Sequence, residues 1–212
     1  GGSPSPSAPT SNGVADLEPD AIIEKATAAL SAVDSFSVKG TVDDEGNKIG
    51  FDVKIAGEDA MGTLSVDGAK IEMLKVAGQM YVRLDAAFWK QSAGDDAEIA
   101  AELVGDRWLK VSEKDDFGSF FEMVDPDELL SLNGKLTKGE TKAVNGIDAI
   151  GVMDATDGGT VWVATTGEAY PLLMEASDGS GQITFADFGA KFDGLKTPAE
   201  GEAVDLEKLT GK

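Results

Sequence analysis

The stretch 48-KIGFDVKIAG-57 decides the fold, because apolar side chains recur in it at every second position. The four apolar positions are Ile49, Phe51, Val53 and Ile55. Successive side chains of a β-strand point to opposite faces of the sheet, so these four share one face. The stretch therefore predicts a half-buried strand whose inner face carries these residues.

Similar segments surround this strand and extend the prediction to a sheet. Four segments show the same kind of apolar periodicity: residues 35–42, 61–68, 69–78 and 79–85. The junctions between them are short and contain Gly or Asn, the residues that most readily adopt positive φ in hairpin turns. We therefore predict a five-stranded antiparallel meander with one covered face.

A second set of strand-like segments occupies the final third of the chain. Its five members, again separated by hairpin-like turns, are residues 135–144, 146–156, 159–165, 170–177 and 181–188. No change in composition separates the two sets, so the simplest interpretation is a single α+β domain. The last twenty or so residues are polar and are expected to lie along the outside.

Helical patterns precede and divide the two strand sets. Apolar residues at helical spacing, with Pro19 in the first turn, predict an amphipathic helix from about Pro19 to Val33. Between the strand sets, a short strand is predicted at residues 107–112. Helical turns are predicted on either side of it, at residues 85–93, 94–105, 115–124 and 125–134.

Composition excludes several classes of function. The chain has 39 acidic and 18 basic residues, and its net charge of −21 repels nucleic acid and anionic lipid headgroups. It contains neither His nor Cys, so His-based triads, thiolate metal sites and disulfides are impossible. No P-loop, G-x-S-x-G or G-x-G-x-x-G motif occurs. We therefore expect a non-enzymatic protein with no cofactor and no nucleic-acid partner.

Two acidic loops, 43-DDEGNK-48 and 154-DATDGG-159, offer several carboxylates near a glycine, as calcium sites do. Neither has the alternating ligand spacing and terminal bidentate Glu of an EF-hand loop. Asp, Asn and Gly are also the residues that hairpin turns favour. We interpret both loops as turns and expect no metal site.

Aromatic residues gather in or beside the helical middle of the sequence and have two interpretations. They are Tyr81, Phe88, Trp89, Trp108, Phe117, Phe120, Phe121 and Trp162. Each can fill the core between helices and sheet. Together with the six methionines, whose side chains suit an adaptable apolar site, they can also line a hydrophobic cavity. Periodicity alone does not decide between a filled core and a hollow one.

The N-terminus has the composition of a linker. Its first thirteen residues, GGSPSPSAPTSNG, contain one apolar side chain, Ala8, among Gly, Ser and three Pro. Gly and Ser supply flexibility, and Pro removes backbone donors. We predict a flexible tether over residues 1–15 and one folded domain over residues 16–212.

Five further stretches carry a resemblance to a known fold. They are 76-VAGQMYVRLDAAFWK-90, 105-GDRWLKVS-112, 144-VNGIDAIGV-152, 161-VWVATTGEAYPLLMEA-176 and 181-GQITFADFGA-190. With the order of elements from about Asp16 onward, they resemble the LolA-like carrier fold, and in particular the actinobacterial envelope lipoproteins of the LppX and LprG group. The resemblance implies a strongly curved antiparallel sheet of about ten strands, a half-barrel, with helices closing its concave face.

The resemblance also implies a function and a location. Members of the group hold acyl chains of lipids or lipoprotein anchors between the sheet and the helices. It therefore implies a monomeric cell-envelope lipoprotein that binds or carries lipid at the outer face of the cytoplasmic membrane. A lipid-modified Cys just before Gly2 would anchor it, with Gly1 standing in its place here. The alternative is an envelope sensor or protein-binding module with a filled core.

The lining predicted for such a cavity combines the inner face of the first meander with the helix that follows it. Its residues are Ile49, Phe51, Val53, Ile55, Leu64, Ile71, Met73, Met80, Val82, Phe88 and Trp89. Val53 lies in mid-strand between two apolar neighbours of the same face. We therefore expect Val53→Trp to block uptake of an acyl probe while the melting temperature stays within a few degrees.

Overall fold

The structure, a computed structural model, describes residues 10–115, 117–122, 125–132 and 134–210. Its strands, in chain order, are β1 Ser35–Asp44, β2 Asn47–Ala56, β3 Asp59–Val66, β4 Ala69–Val76, β5 Gln79–Leu84, β6 Trp108–Val111, β7 Leu136–Val144, β8 Ile147–Asp154, β9 Thr160–Ala164, β10 Pro171–Glu175, β11 Gln182–Ala186 and β12 Ala203–Asp205. Its α-helices are α1 Pro19–Ala32, α2 Ala86–Ala93, α3 Ala97–Val104, α4 Gly118–Glu122, α5 Pro126–Leu129 and α6 Leu206–Thr210.

The strands form one open, curved sheet in the order β12-β6-β5-β4-β3-β2-β1-β11-β10-β9-β8-β7. Antiparallel pairing of β1 with β11 joins the two meanders in the middle of this sheet. The predicted fold class, an α+β domain with a curved antiparallel sheet, is confirmed. Among the described residues, no helix is both long and apolar enough to cross a membrane.

The strand β12 departs from the sequence-based expectation. It pairs in parallel with β6, from Ala203 opposite Trp108 to Asp205 opposite Lys110. Three residues are too few to show an apolar period, so the sequence does not predict this strand. In the part of the chain that the structure describes, the sheet has twelve strands, where the resemblance implies about ten.

Helices cover one face of the sheet, which we call the helix-covered face. The helix α1 buries Ile22 and Leu30 in a cluster that includes Phe36 and Phe185 of the sheet. A second cluster lies beside it, where Val104 of α3 and Phe121 of α4 pack with residues of β3 to β6. Phe51 of β2 contacts both clusters. The helices therefore form two groups on the same face, with a boundary between them.

The C-terminal segment packs on the opposite face. Leu195 and Ala203 contact a small cluster that contains Leu74 and Tyr81. Just after β11, the ring of Phe188 stacks on Tyr170 with the ring centroids 4.0 Å apart, and it also lies 6.4 Å from the ring of Phe36 in the α1 cluster. Burial, and then the charge of Glu168, raise the pKa of Tyr170. This segment gives the opposite face an apolar cover of its own.

The first described residues are already attached to the fold. Ser11 forms a β-bridge with Thr166, and the Asn12 side-chain amide donates to the carbonyl oxygens of Ala164 at 2.9 Å and Gly167 at 3.1 Å. Val14 is buried in a short 3-10 helix. The chain thus joins the domain beside the connection between β9 and β10. Residues 1–9 of the predicted tether lie outside the described residues.

Candidate ligand cavity

A cavity of about 620 Å³ opens at the boundary between the two helix groups. The residues that line it come from α1, from the helical segment around α4 and α5, and from strands β1 to β5. Ile55 and Ala60 of its lining belong to the α1 cluster, whereas Met80 and Phe121 belong to the second cluster. The cavity therefore lies between the sheet and the helices.

The floor of the cavity is a single row of residues across five adjacent strands. Strand register places them side by side in the order Phe36, Ile55, Ala60, Lys75 and Met80. Ala60 is the smallest member of this row; it lines the cavity and packs in the α1 cluster, where it is 6 % exposed. Strand register therefore places this row at the base of the cavity.

Apolar side chains from the helices complete the walls. Leu30 and Val33 line the cavity on the α1 side, and Phe121 lines it on the α4 side. Leu30 is 1 % exposed and Phe121 is 6 % exposed, so the core holds both in place.

The mouth of the cavity is strongly acidic. Its carboxylates are those of Glu58, Asp59, Glu113, Glu122, Asp125 and Asp127, and all but Asp59 are exposed. Several have structural roles: Asp125 caps α5 by accepting from the Asp127 amide at 3.0 Å, and Asp127 accepts from Ser31 of α1 at 3.3 Å. The hydrogen bond between Ser31 and Asp127 connects α1 to α5 beside the cavity.

Lys75 is the one basic residue among the described residues of this lining. It is half-buried in the floor row, where the alternation of β4 places it on the helix-covered face between Ala60 and Met80. Within the described residues, no carboxylate lies close enough to form an ion pair with it. One ammonium against six carboxylates leaves the cavity mouth with a negative potential.

Two of the eleven predicted lining residues, Ile55 and Met80, line this cavity. Two more, Val82 and Trp89, line a smaller pocket of about 280 Å³ beside Arg107. The other seven lie in or against the two core clusters, and they are Ile49, Phe51, Val53, Leu64, Ile71, Met73 and Phe88. Those on strands share the helix-covered face, as the alternation predicts.

Val53 was expected to line the cavity, but the structure places it in the core. It is 1 % exposed within the α1 cluster and is not part of the lining of the 620 Å³ cavity. Added bulk in a filled core typically costs about 1–3 kcal/mol through strain. We therefore expect Val53→Trp to lower stability, unlike a substitution at Ala60.

Sequence reasoning missed the parts of the lining that depend on strand register or come from distant segments. Leu30 and Val33 belong to a helix that the sequence predicts, but nothing in its pattern says which strands it covers. Ala60 lies just before the predicted segment 61–68, and Lys75 interrupts the apolar alternation of residues 69–78, so the apolar pattern indicates neither as a lining residue. The alternation of β4 does indicate the position of Lys75, because Lys75 follows Ile71 and Met73 on the same side of the strand.

The aromatic residues divide between the two faces. Phe88, Phe117 and Phe120 form a chain of ring contacts with centroids 6.1 Å and 6.2 Å apart beneath the second helix group. Trp108 lies on the opposite face, where the guanidinium of Arg83 stacks over its ring at 4.0 Å. Of the eight aromatics noted in the sequence, Phe121 lines the 620 Å³ cavity.

A second cavity, of about 430 Å³, lies near the turn at residues 154–159. Asp154 is buried there, and its carboxylate accepts from the amides of Thr156 at 2.8 Å and Gly134 at 3.3 Å. At the rim, hydrogen bonds from Ser180 lower the pKa of Asp178. In the described ranges, no three acidic side chains are arranged to hold a metal ion. The carboxylate of Asp154 thus holds two turns together.

No family model and no curated protein sequence matches the chain. Its fold, however, matches solved structures of mycobacterial proteins. LprF from Mycobacterium bovis superposes with a TM-score of 0.57 at 15 % identity, covering 91 % of this chain and 100 % of that chain. The Mycobacterium tuberculosis lipoprotein LppX superposes with a TM-score of 0.54 at 17 % identity, covering 82 % and 96 %.

These similarities confirm the resemblance inferred from the sequence at the level of the fold. The chain has an open, curved antiparallel sheet with helices on one face, the architecture of LprF and LppX. Both neighbours are nearly completely covered by it, so the likeness extends over whole domains.

Proposed function

We propose that the protein binds or carries lipid in the cell envelope, with an acyl chain in the 620 Å³ cavity. The proposal rests on a cavity between sheet and helices whose base includes Phe36, Ile55, Ala60 and Met80. The volume lies within the ~300–1,000 Å³ typical of small-molecule sites. A fold shared with LppX, a lipoprotein, supports the same kind of function.

Burial of hydrocarbon supplies the binding energy in this proposal. Each methylene that leaves water contributes about 0.8 kcal/mol. A chain with ten buried methylenes would gain about 8 kcal/mol, against an association cost of at least about 4 kcal/mol. The difference of about 4 kcal/mol corresponds to a Kd of about 1 mM, so micromolar binding requires about five further buried methylenes or additional polar contacts.

The proposed location is the outer face of the cytoplasmic membrane, with a lipid-modified Cys before Gly2 as the anchor. Asn12 holds the start of the described chain beside the β9–β10 connection. A tether of about ten residues spans at most about 35 Å when extended. In this proposal the domain is a monomer held close to the membrane from which it takes its ligand.

The alternative, an envelope sensor or protein-binding module with a filled core, fits the structure less well. Such a core leaves no cavity of several hundred cubic ångströms between sheet and helices. The 620 Å³ cavity therefore favours the binding of a ligand there.

Native mass spectrometry of gently purified protein tests this proposal. We expect an adduct with the mass of a lipid, lost on delipidation and replaced by a fluorescent acyl probe that binds with micromolar or tighter affinity. Protein that carries no adduct and also rejects the probe would contradict lipid binding and favour the alternative.

A further inference from the structure

The end of the sheet at which the 620 Å³ cavity opens is also the end at which the N-terminal segment joins the domain. We propose that the mouth of the cavity faces the membrane to which the domain is anchored, so that the ligand passes directly between bilayer and cavity. This inference rests on the proposed function, since it names the surface with which the same cavity exchanges its ligand.

Strand register places the cavity mouth and the β9–β10 connection at one end of the sheet, which we call the mouth end. Ser35 at the start of β1 pairs with Ala56 at the end of β2, so the β2–β3 turn, whose Glu58 lines the cavity, belongs to this end. Ser37 of β1 pairs with Ala186 at the end of β11. Because β10 runs antiparallel to β11, β10 begins at the mouth end. The β9–β10 connection, which carries the β-bridge to Ser11, therefore lies there as well.

Three aromatic rings link this attachment to the cavity. Tyr170, the last residue before β10, stacks on Phe188 with the ring centroids 4.0 Å apart. The ring of Phe188 in turn lies 6.4 Å from the ring of Phe36, which is 1 % exposed and lines the cavity. The attachment is thus beside the cavity rather than across the domain from it.

The reach of the segment before Ser11 determines which end of the domain meets the bilayer easily. Its ten residues span at most about 35 Å, whatever their conformation. The opposite end, which we call the far end, lies one strand length away, and the ten residues of β2 correspond to about 33 Å. Contact between the far end and the bilayer therefore requires an almost fully extended segment, which costs conformational entropy. Contact at the mouth end requires no such extension.

This arrangement has a consequence for ligand exchange. A short tether keeps the cavity mouth at a high effective concentration with respect to the lipids of the anchoring membrane. An acyl chain that leaves the bilayer then enters the cavity over a short path. The same protein anchored through its far end would hold the mouth about a strand length from the surface.

The sequence permits a direct measurement of orientation, because the chain contains neither His nor Cys. A histidine tag before Gly1 attaches the full chain to vesicles that contain a nickel-chelating lipid, and one introduced Cys carries a fluorophore. The vesicles are made of phosphatidylcholine, since a net charge of −21 repels an anionic surface.

Matched reporters at the two ends of β3 measure which end faces the bilayer. Glu58→Cys lies just before β3 at the mouth end, Asp67→Cys lies just after β3 at the far end, and both replace an exposed carboxylate. With a nitroxide on the lipid headgroups, we expect at least about threefold stronger quenching for Glu58→Cys, since nine residues of strand separate the reporters by about 30 Å.

A second pair of reporters flanks β6 and repeats the comparison. Asp106→Cys precedes β6 at the far end and Glu113→Cys follows it at the mouth end, again at exposed carboxylates. We expect the stronger quenching for Glu113→Cys. Equal quenching within the two pairs, or stronger quenching at the far end, would overturn the inference.

Moving the anchor tests the exchange of ligand. The Cys of Gly1→Cys or of Asp67→Cys is coupled to a maleimide lipid in vesicles that contain a lysophosphatidylcholine with a pyrene-labelled chain. We expect uptake from the membrane to be at least about tenfold faster for Gly1→Cys, because its tether holds the mouth near the lipid. Both variants should bind the probe equally in solution. Equal uptake rates from the membrane would overturn the inference and leave lipid binding intact, whereas failure of both variants to bind the probe in solution would contradict the proposed function.

Discussion

A Gly40→Ala variant is expected to lose about 3 kcal/mol of stability, the upper end of the range for overpacked sites. A Cβ at this position of β1 would lie 2.8 Å from the Cα of Ile183 and nearer still to the carbonyl oxygen of Gln182. Both atoms belong to the backbone of β11, so no side-chain rotation relieves the clash. Since β1 and β11 join the two meanders, the whole sheet has to shift.

Thermal unfolding measures this effect against a matched control. For a domain of this size, 3 kcal/mol corresponds to a melting-temperature decrease of roughly 6–12 °C. In Gly50→Ala, on the neighbouring strand, the new Cβ is 2.7 Å from the Ser65 hydroxyl oxygen, which can rotate away. We expect Gly50→Ala to melt within a few degrees of the parent. Equal melting temperatures for the two variants would contradict the close approach of β1 and β11.

The largest expected effect on ligand binding comes from Ala60→Phe. The ring would enter the space between Ile55 and Lys75 and occupy the floor on which the chain lies. We expect the affinity for a single-chain acyl probe to fall by about a hundredfold or more, which corresponds to the loss of a few buried methylenes. The melting temperature should stay within a few degrees, because the added atoms enter a hollow rather than a filled core.

Two further variants serve as controls for Ala60→Phe. Ala87→Phe adds the same ring at an exposed position of α2 and should change neither binding nor melting temperature. Val53→Trp adds bulk to a part of the α1 cluster that does not line the cavity and should lower the melting temperature. If Ala60→Phe binds the probe as well as Ala87→Phe does, the acyl chain lies elsewhere.

The sheet was predictable from sequence because it rests on local patterns. Alternation in residues 48–57 and hairpin signals such as 67-DG-68 act over a few residues, so the strands and their antiparallel pairing follow directly. Strand β12 was not predictable, because its partner β6 is about a hundred residues away and the pairing is parallel. The local sequence of either strand does not indicate a pairing partner so far away.

The sequence and the resemblance predict the type of cavity but not its location. The sequence indicates apolar strands facing helices, and the resemblance implies a hollow between them. The location depends on the register that aligns Ala60 with Ile55 and Lys75, and on which strands α1 covers. The acidic mouth combines residues from the β2–β3 turn with others more than fifty positions later, which only the folded chain brings together.

Photo-crosslinking tests the central claim most directly, because it reports where the acyl chain lies. The probe is a lysophosphatidylcholine with a diazirine at the end of its single chain, and unlabelled lipid serves as competitor. We predict competable crosslinks in the peptides that contain Ile55, Ala60, Met80 or Phe121, which meet around the cavity. Crosslinks confined to the opposite face, near Tyr81 and Leu195, or an absence of competable crosslinks, would contradict the account.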